Sequence, residues 1–238
     1  MNYPNYIFDL YGTLLDIWTD EESPVLWERT ALWYREQGAL WHGAELRNRY
    51  LALCRQEQSR FSDPLAEIEL RNVFGALFAE KGVEPESVLV EDTARFFRIF
   101  SIKKLELYPW VLPVFQRLRE RGSRLYLLSN AQACFTEGEL RGFGLSDAFD
   151  GVVLSSDAGV RKPSAKILQI LLERYHLSVG DCLMVGNDPD ADIGMASEAG
   201  MDSLYLKTAT SPNGPLPVRA SRVLPDEDYS RMEELLER

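Results

Sequence analysis

Histidine is nearly absent from this chain: among 238 residues only His42 and His176 carry an imidazole. Neither stands in a ligand spacing such as H-E-x-x-H, which excludes a histidine-built zinc site. A Ser/His/Asp hydrolase is disfavoured too, because no G-x-S-x-G elbow occurs and His176 sits in the apolar-periodic run from Lys166 to Leu177. Cysteine is equally sparse. Cys54, Cys134 and Cys182 are odd in number, widely spaced and free of C-x-x-C. That argues against a disulfide framework or structural zinc and fits a reducing, cytoplasmic compartment. No apolar run approaches the roughly 18 residues of a membrane span, and MNYPNYIFDL has no basic segment leading an apolar one, so neither secretion nor a membrane is expected. Positive charge is in deficit, 26 Lys and Arg against 37 Asp and Glu for a formal net charge of −11, with no basic block. Nucleic acid and anionic lipid are therefore poor partners. The reagents the chain does have are carboxylates.

The length suits one elaborated domain, or a core with one smaller domain. Tyr6 to Asp9 reads as a buried strand that stops at an acid, followed by the turn Tyr11-Gly12-Thr13 and renewed apolar character at Leu14-Leu15. From Asp16 to about Lys104 the periodicity becomes helical without interruption by strands. Ser23-Pro24 opens a helix closed by Gly38, Leu46, Tyr50, Leu53 and Cys54 mark a second, Leu65 to Phe78 a third, and Val88 to Phe100 a fourth. Four of the five tryptophans, Trp18, Trp27, Trp33 and Trp41, fall here and suit the core of a small helical bundle. After Lys104 helix and strand alternate, with strands at 124–129, 151–154, 182–185 and 203–206, and Ser211 to Pro217 reads as an exposed loop. Short βα repeats imply a parallel sheet covered by helices on both faces. The expected architecture is thus an α/β parallel-sheet core, residues 1–15 and 105–238, with an inserted helical domain, residues 16–104.

In such sheets ligands bind beyond the carboxyl ends of the strands. Those ends carry Asp9 through Thr13, then Ser129-Asn130, then Lys162, then Asn187-Asp188 with Asp192 beyond. A carboxylate, a hydroxyl, a lysine and further acids around one crevice suit an anionic group handled with a divalent cation. Three carboxylates do not ionise side by side without positive charge among them, and oxygen ligands suit Mg²⁺.

With these residues in order the chain resembles the haloacid dehalogenase-like superfamily of aspartate-nucleophile hydrolases. FDLYGTLLD is similar to its first motif, LLSN to the second, RKPSAKI to the third and VGNDPDADIGMASEAG to the fourth. The resemblance implies a Rossmann-like core, a helical cap that closes over the site, and a small anionic substrate. It implies Asp9 as nucleophile, the Thr13 hydroxyl supporting the first loop, and Ser129, Asn130 and Lys162, with Gly12, around the transferred group. It further implies Mg²⁺ held by Asp9, the Tyr11 carbonyl, Asp188 and Asp192, with Asn187 hydrogen-bonding beside them.

Two positions depart from the family pattern. Two residues beyond the nucleophile, where family phosphatases carry a second Asp that acts as acid and base, this chain has Tyr11, a phenol whose reference pKa of about 10 makes it a poor base at neutral pH. That residue suits the 2-haloacid dehalogenase branch, in which halide leaves without a proton. The fourth motif points the other way, because Asp188 and Asp192 stand where that branch has small neutral residues. Its carboxylate-binding cap arginine also has no clear counterpart, Arg29 and Arg35 being candidates by position alone. A Mg²⁺-dependent phosphatase is the first expectation, a dehalogenase or a catalytically weak ligand-binding member the alternatives. Trp18 is the cap residue expected nearest the site, with packing as its competing role, and oligomeric state is not legible.

Overall fold

Strand β1, Asn5–Phe8, is buried along its whole length and lies at the centre of the molecule, because Tyr6 and Phe8 pack into one apolar layer and Ile7 into the other. This two-sided burial is what a parallel sheet covered on both faces requires. The structure is a computed structural model and describes residues 3–216 and 219–236. After β1 the chain turns into β2, Leu15–Thr19, and then runs through four helices: α1 Pro24–Glu36, α2 Gly43–Gln58, α3 Leu70–Ala79 and α4 Ser87–Ser101. Strand β3, Ile102–Leu107, returns antiparallel to β2, pairing Ile17 with Leu105. There follow α5 Val111–Glu120, β4 Arg124–Ser129, α6 Ala133–Gly142, β5 Gly151–Leu154, α7 Ser155–Ala158, α8 Ala165–Arg174, β6 Cys182–Gly186, α9 Met195–Glu198, β7 Asp202–Leu206, β8 Arg222–Leu224 and α10 Met232–Leu236. The six-stranded sheet has the order β5-β4-β1-β6-β7-β8 with every pairing parallel. The expected α/β, Rossmann-like core is present.

Chain order reverses at β1, since β4 lies on one side and β6 on the other. The ends of those three strands therefore open a crevice at a topological switch point. Helices flank the sheet on both faces. Phe8 meets Phe115 of α5 with ring centroids 5.0 Å apart, and on the opposite face Tyr126 meets Tyr175 at 5.2 Å. Phe8, Phe115 and Tyr126, which are buried, each contribute roughly 1.5–3 kcal/mol over leaving them in water, and the half-buried Tyr175 less.

The four helices have their own aromatic core. Trp27, Tyr50, Phe74 and Phe97 pack with centroid separations of 5.2 to 5.7 Å. Phe135 of α6 joins this cluster from the sheet side, 6.3 Å from Phe74 and 6.4 Å from Phe97. The packing thereby seats the helices over the crevice. Trp27 and Trp41 are buried as expected, and Trp33 is half-buried against Phe96.

Several expectations about local structure are corrected. The stretch 16–104 is not helical throughout: its ends form the β2–β3 ribbon, in which Leu15, Ile17, Leu105 and Leu107 alternate with the polar Asp16, Lys104 and Glu106. The third helix begins at Leu70, because Leu65 to Glu69 crosses to the loop after α7, where Ala66 bridges Val160 and the Leu65 carbonyl accepts from the Arg161 N–H. Strand β8 and α10 extend the core beyond the expected elements. Pro212 to Leu216 are exposed as expected, whereas Ser211 is buried and Pro217 lies outside the described residues.

Candidate active site

Asp9 sits immediately beyond β1 and is 6% exposed. Its Oδ1 accepts hydrogen bonds from Lys162 Nζ at 2.7 Å and Ser129 Oγ at 3.1 Å, and its Oδ2 accepts from Thr13 Oγ1 at 3.1 Å. Three segments at the strand ends, those after β1, at the end of β4 and after β5, are needed to assemble these partners. Gly12 lets the first loop turn, with φ +83° and so little room that a Cβ would fall 2.3 Å from Asn187 Nδ2. The Thr208 hydroxyl then ties the Gly12 carbonyl to the loop after β7 at 2.8 Å.

Lys162 is 3% exposed, so a solvated surface lysine is excluded. Its Nζ donates to Asp9, to Asp192 Oδ1 at 2.6 Å and to the Leu128 carbonyl at 2.9 Å, which satisfies all three protons of the ammonium. Burial alone favours the neutral amine, but the carboxylates of Asp192 and Asp9 outweigh it and hold the lysine charged. Asp192, 1% exposed, lies on the wide turn Pro189–Gly194 that follows β6. Burial pushes its carboxyl up to about 6 against the opposing pull of Lys162. Glycine at 186 makes room for it, since a Cβ there would lie 2.3 Å from Asp192 Oδ2.

The cleft above these groups has a volume of about 700 Å³ and is lined from both layers. The sheet side contributes Asp9, Tyr11, Ser129, Asn130, Lys162, Asn187, Asp188 and Asp192, and the other wall includes Trp18, Glu21, Glu67 and Arg98. Most of the sequence-derived residues thus converge, with more specific placements than expected. The Asn130 side chain does not reach for a substrate: its Nδ2 donates to the Lys162 carbonyl at 3.0 Å and its Oδ1 accepts from the Lys162 N–H at 2.7 Å, pinning the lysine. Asn187 is fully hydrogen-bonded to Thr13, Thr208 and Thr210. Gly12 and Thr13 lie behind the lining and shape it.

Tyr11 turns its phenol away from Asp9 towards α6. Its Oη donates to Glu139 Oε2 at 2.5 Å and receives the Thr136 hydroxyl at 2.9 Å, and burial raises its pKa further above the ordinary phenol value. Glu139 in turn accepts from Arg98 Nε of α4 at 2.6 Å. Arg98, Glu139, Glu21 and Glu67 were not anticipated from sequence. Arg29 and Arg35 take no part in the cleft; the first lies over the Phe100 ring and the second donates to the Trp41 carbonyl. Trp18 is 64% exposed and lines the cleft, so packing is not its role. Both histidines are exposed, and all three cysteines are free.

Room for a divalent cation depends on which oxygens remain open. Asp188 Oδ1 caps the N–H groups of Asp190 and Ala191 at 2.9 and 2.7 Å, while its Oδ2 has no hydrogen-bond partner among the described residues. Both Asp192 oxygens are engaged, Oδ1 by Lys162 and Oδ2 by the Asp188 N–H at 3.0 Å. Accordingly, no group of three or more His, Cys, Asp or Glu among the described residues is arranged to hold a metal. The open Asp188 Oδ2, with Asp9, whose Oδ2 is held only by the neutral Thr13 hydroxyl, nevertheless matches what Mg²⁺ takes from a protein, one or two carboxylates with water and substrate phosphate completing the shell. Lys162 bonds two of the three carboxylates but offsets only one of their charges, so the sequence argument that their repulsion calls for a further cation is reduced and not removed.

The comparisons with known proteins agree with this geometry. A glyceraldehyde 3-phosphate phosphatase of Methanopyrus kandleri is 29% identical over 164 residues, 69% of this chain and 70% of that protein. A phosphoserine phosphatase of Thermus thermophilus is 29% identical over 143 residues, 60% of this chain and 56% of that protein, so the match spans little more than half of the second relative. Among solved structures, a 2-haloacid dehalogenase from Pseudomonas syringae superposes with a TM-score of 0.68 at 20% identity, covering 98% of both chains. A phosphatase from Thermococcus onnurineus does so with 0.60 at 22%, covering 98% of this chain and 99% of that one. Residues 3–200 match the family model of the haloacid dehalogenase-like hydrolases. With the four motif loops gathered at the switch point of the sheet, the chain belongs to that family and is a hydrolase.

Proposed function

We propose that the protein is a Mg²⁺-dependent phosphatase acting on a small phosphorylated metabolite, with Asp9 as nucleophile. The observation that carries this reading is the Asp9 carboxylate, fixed on Oδ1 by a buried ammonium and a hydroxyl and on Oδ2 by the Thr13 hydroxyl, at the floor of an open cleft. A phosphoryl group placed there meets the charge of Lys162 and the Ser129 hydroxyl, whose bonds to Asp9 are exchanged for bonds to its oxygens as the carboxylate's charge is consumed in the transition state. An Asp9 carboxylate oxygen attacks phosphorus and the bond from phosphorus to the leaving oxygen breaks, giving an aspartyl phosphate and an alkoxide or phenoxide that takes its proton from solvent in the open cleft. Water then adds to phosphorus and releases inorganic phosphate, restoring Asp9. Asp9, Asp188 and the Tyr11 carbonyl would hold Mg²⁺, which when bound offsets the charge of the incoming phosphate. In this reading Asp192 keeps Lys162 and the Asp188 backbone in place instead of coordinating directly, and the four helices act as a cap.

A second reading, halide displacement from a 2-haloacid, draws on one observation: the Tyr11 phenol is committed to Glu139 and Thr136 and offers no proton to a leaving group. Against it stand the open acid Asp188 and the pairing of Arg98, the one arginine among the described lining residues, with Glu139. Aryl phosphate turnover that requires Mg²⁺, stops on chelation and is abolished in Asp9→Asn is the expected result. Metal-independent chloride release from 2-chloropropionate, with no phosphate release from the aryl ester, would replace it with the dehalogenase reading.

A further inference from the structure

The phosphate end of the cleft leaves open what the rest of the substrate looks like, and the opposite wall bears on that. Apart from Lys162, Arg98 is the one cation among the described lining residues. It is buried, donates from Nε to Glu139 Oε1 at 2.6 Å, and lies between two rings, its guanidinium carbon 5.3 Å from the centroids of both Tyr11 and Phe135. The other Glu139 oxygen is held by the Tyr11 phenol. The pair is therefore neutral as a unit. Its remaining guanidinium N–H groups can donate to an uncharged oxygen, but its charge is already matched.

The other ionisable groups on that wall are acids. Glu21 accepts no hydrogen bond on its carboxylate from any described residue, and Glu67 is half-buried, bonded to the Ser155 hydroxyl at 2.9 Å and the Ile68 N–H at 3.2 Å. A second acid group on the substrate would meet these carboxylates in a part-desolvated cleft. Drawing Arg98 to itself would strip Glu139 of its counter-charge in a buried position. A hydroxyl, carbonyl or amine faces no such cost.

We infer, resting on the phosphatase reading, that the cleft selects phosphate monoesters whose organic half carries no acid group and discriminates against phosphorylated carboxylic acids and bisphosphates, with the Arg98–Glu139 pair as the specificity determinant. Glu139 is then a positioning residue that acts through Arg98.

Two substrate pairs that differ by one carboxylate test this: phosphoethanolamine against phosphoserine, and glycerol 3-phosphate against 3-phosphoglycerate, with an aryl phosphate as the common reference. The member without the carboxylate is expected to show kcat/KM higher by about tenfold or more in each pair. Glu139→Gln, which leaves the arginine charge unmatched, is expected to shrink that ratio by a similar factor. Glu21→Gln, at an exposed position, should shrink it less and serves if the Glu139 variant does not fold. Equal or better turnover of the acid in either pair overturns the inference, as does aryl phosphate hydrolysis with neither pair touched. Failure to hydrolyse even the aryl phosphate with Mg²⁺ present sinks the phosphatase reading itself, and the inference with it.

Discussion

Lys162 and Arg98 face one cleft from opposite layers, and their surroundings differ in a way that separates chemistry from selection. Lys162 is held by two carboxylates and a carbonyl on strand-end loops, with a third carboxylate, Asp188, nearby, so negative charge is in surplus around it. Arg98 of α4 is held by one carboxylate and one aromatic ring of α6 and by the Tyr11 ring of the first loop, so its charge is matched. A compact ammonium suits the first place because three protons reach three oxygens. A planar guanidinium suits the second because it stacks while it bonds. A surplus of negative charge draws cations and orients an anion in transfer, whereas a closed neutral pair mainly decides what it will not accept.

The comparison is broken most severely at Lys162. Lys162→Met leaves Asp9 and Asp192 buried and facing each other without a counter-charge. The expected loss of phosphatase rate is on the order of 10⁴-fold or more, with destabilisation of about 3–5 kcal/mol. Steady-state turnover and urea unfolding of the same variant measure both. Activity within tenfold of the parent would mean that the two cations are not different in kind. Arg98→Met breaks a buried pair of similar cost, about 3–5 kcal/mol. Its rate on an aryl phosphate should nevertheless fall by no more than roughly 10²-fold, as for a group that helps position and does not touch the reacting atoms. Equal losses at both positions would assign Arg98 to the chemistry.

Legibility follows the same division. Asp9, Ser129, Lys162, Asp188 and Asp192 each sit at or just beyond a strand end, and the rule that ligands bind at those ends in a parallel sheet brings them together without coordinates. The Arg98–Glu139–Tyr11 group was hidden because its partners are 41 and 128 residues apart, and each looked like an ordinary helix or turn residue. A trace was present: Arg98 interrupts the apolar run Phe96-Phe97-Arg98-Ile99-Phe100, where a solvated arginine has little reason to be. The β2–β3 ribbon was missed for a related reason. Its alternation spans only five and six residues, too short to stand out beside the helical pattern that fills 24–101. What could not be read was direction, namely that Tyr11 points to α6 and not to Asp9.

Two smaller changes sharpen the contrast from the Tyr11 side and the cleft mouth. Tyr11→Phe removes the 2.5 Å bond to Glu139 while keeping the ring beneath Arg98. A hydrogen bond to a charged group is worth about 1.5–3 kcal/mol, so a clear drop in thermal stability is expected. Catalysis should change by less than about tenfold, because a phenol already donating to a carboxylate is not the proton source. Loss of a true general acid typically costs on the order of 10² to 10⁴, so a fall of that size in kcat would return Tyr11 to the chemistry. Trp18→Ala should do least of all to the fold. The side chain is 64% exposed and makes no ring contact with another aromatic among the described residues, so stability should stay within about 0.5 kcal/mol. Because Trp18 lines the cleft at the ribbon joining sheet and helices, its loss should appear as a few-fold rise in KM with kcat unchanged, the pattern of lost uniform binding. An unchanged KM would remove Trp18 from the substrate surface and leave selection to Arg98, Glu139 and the two acids beside them.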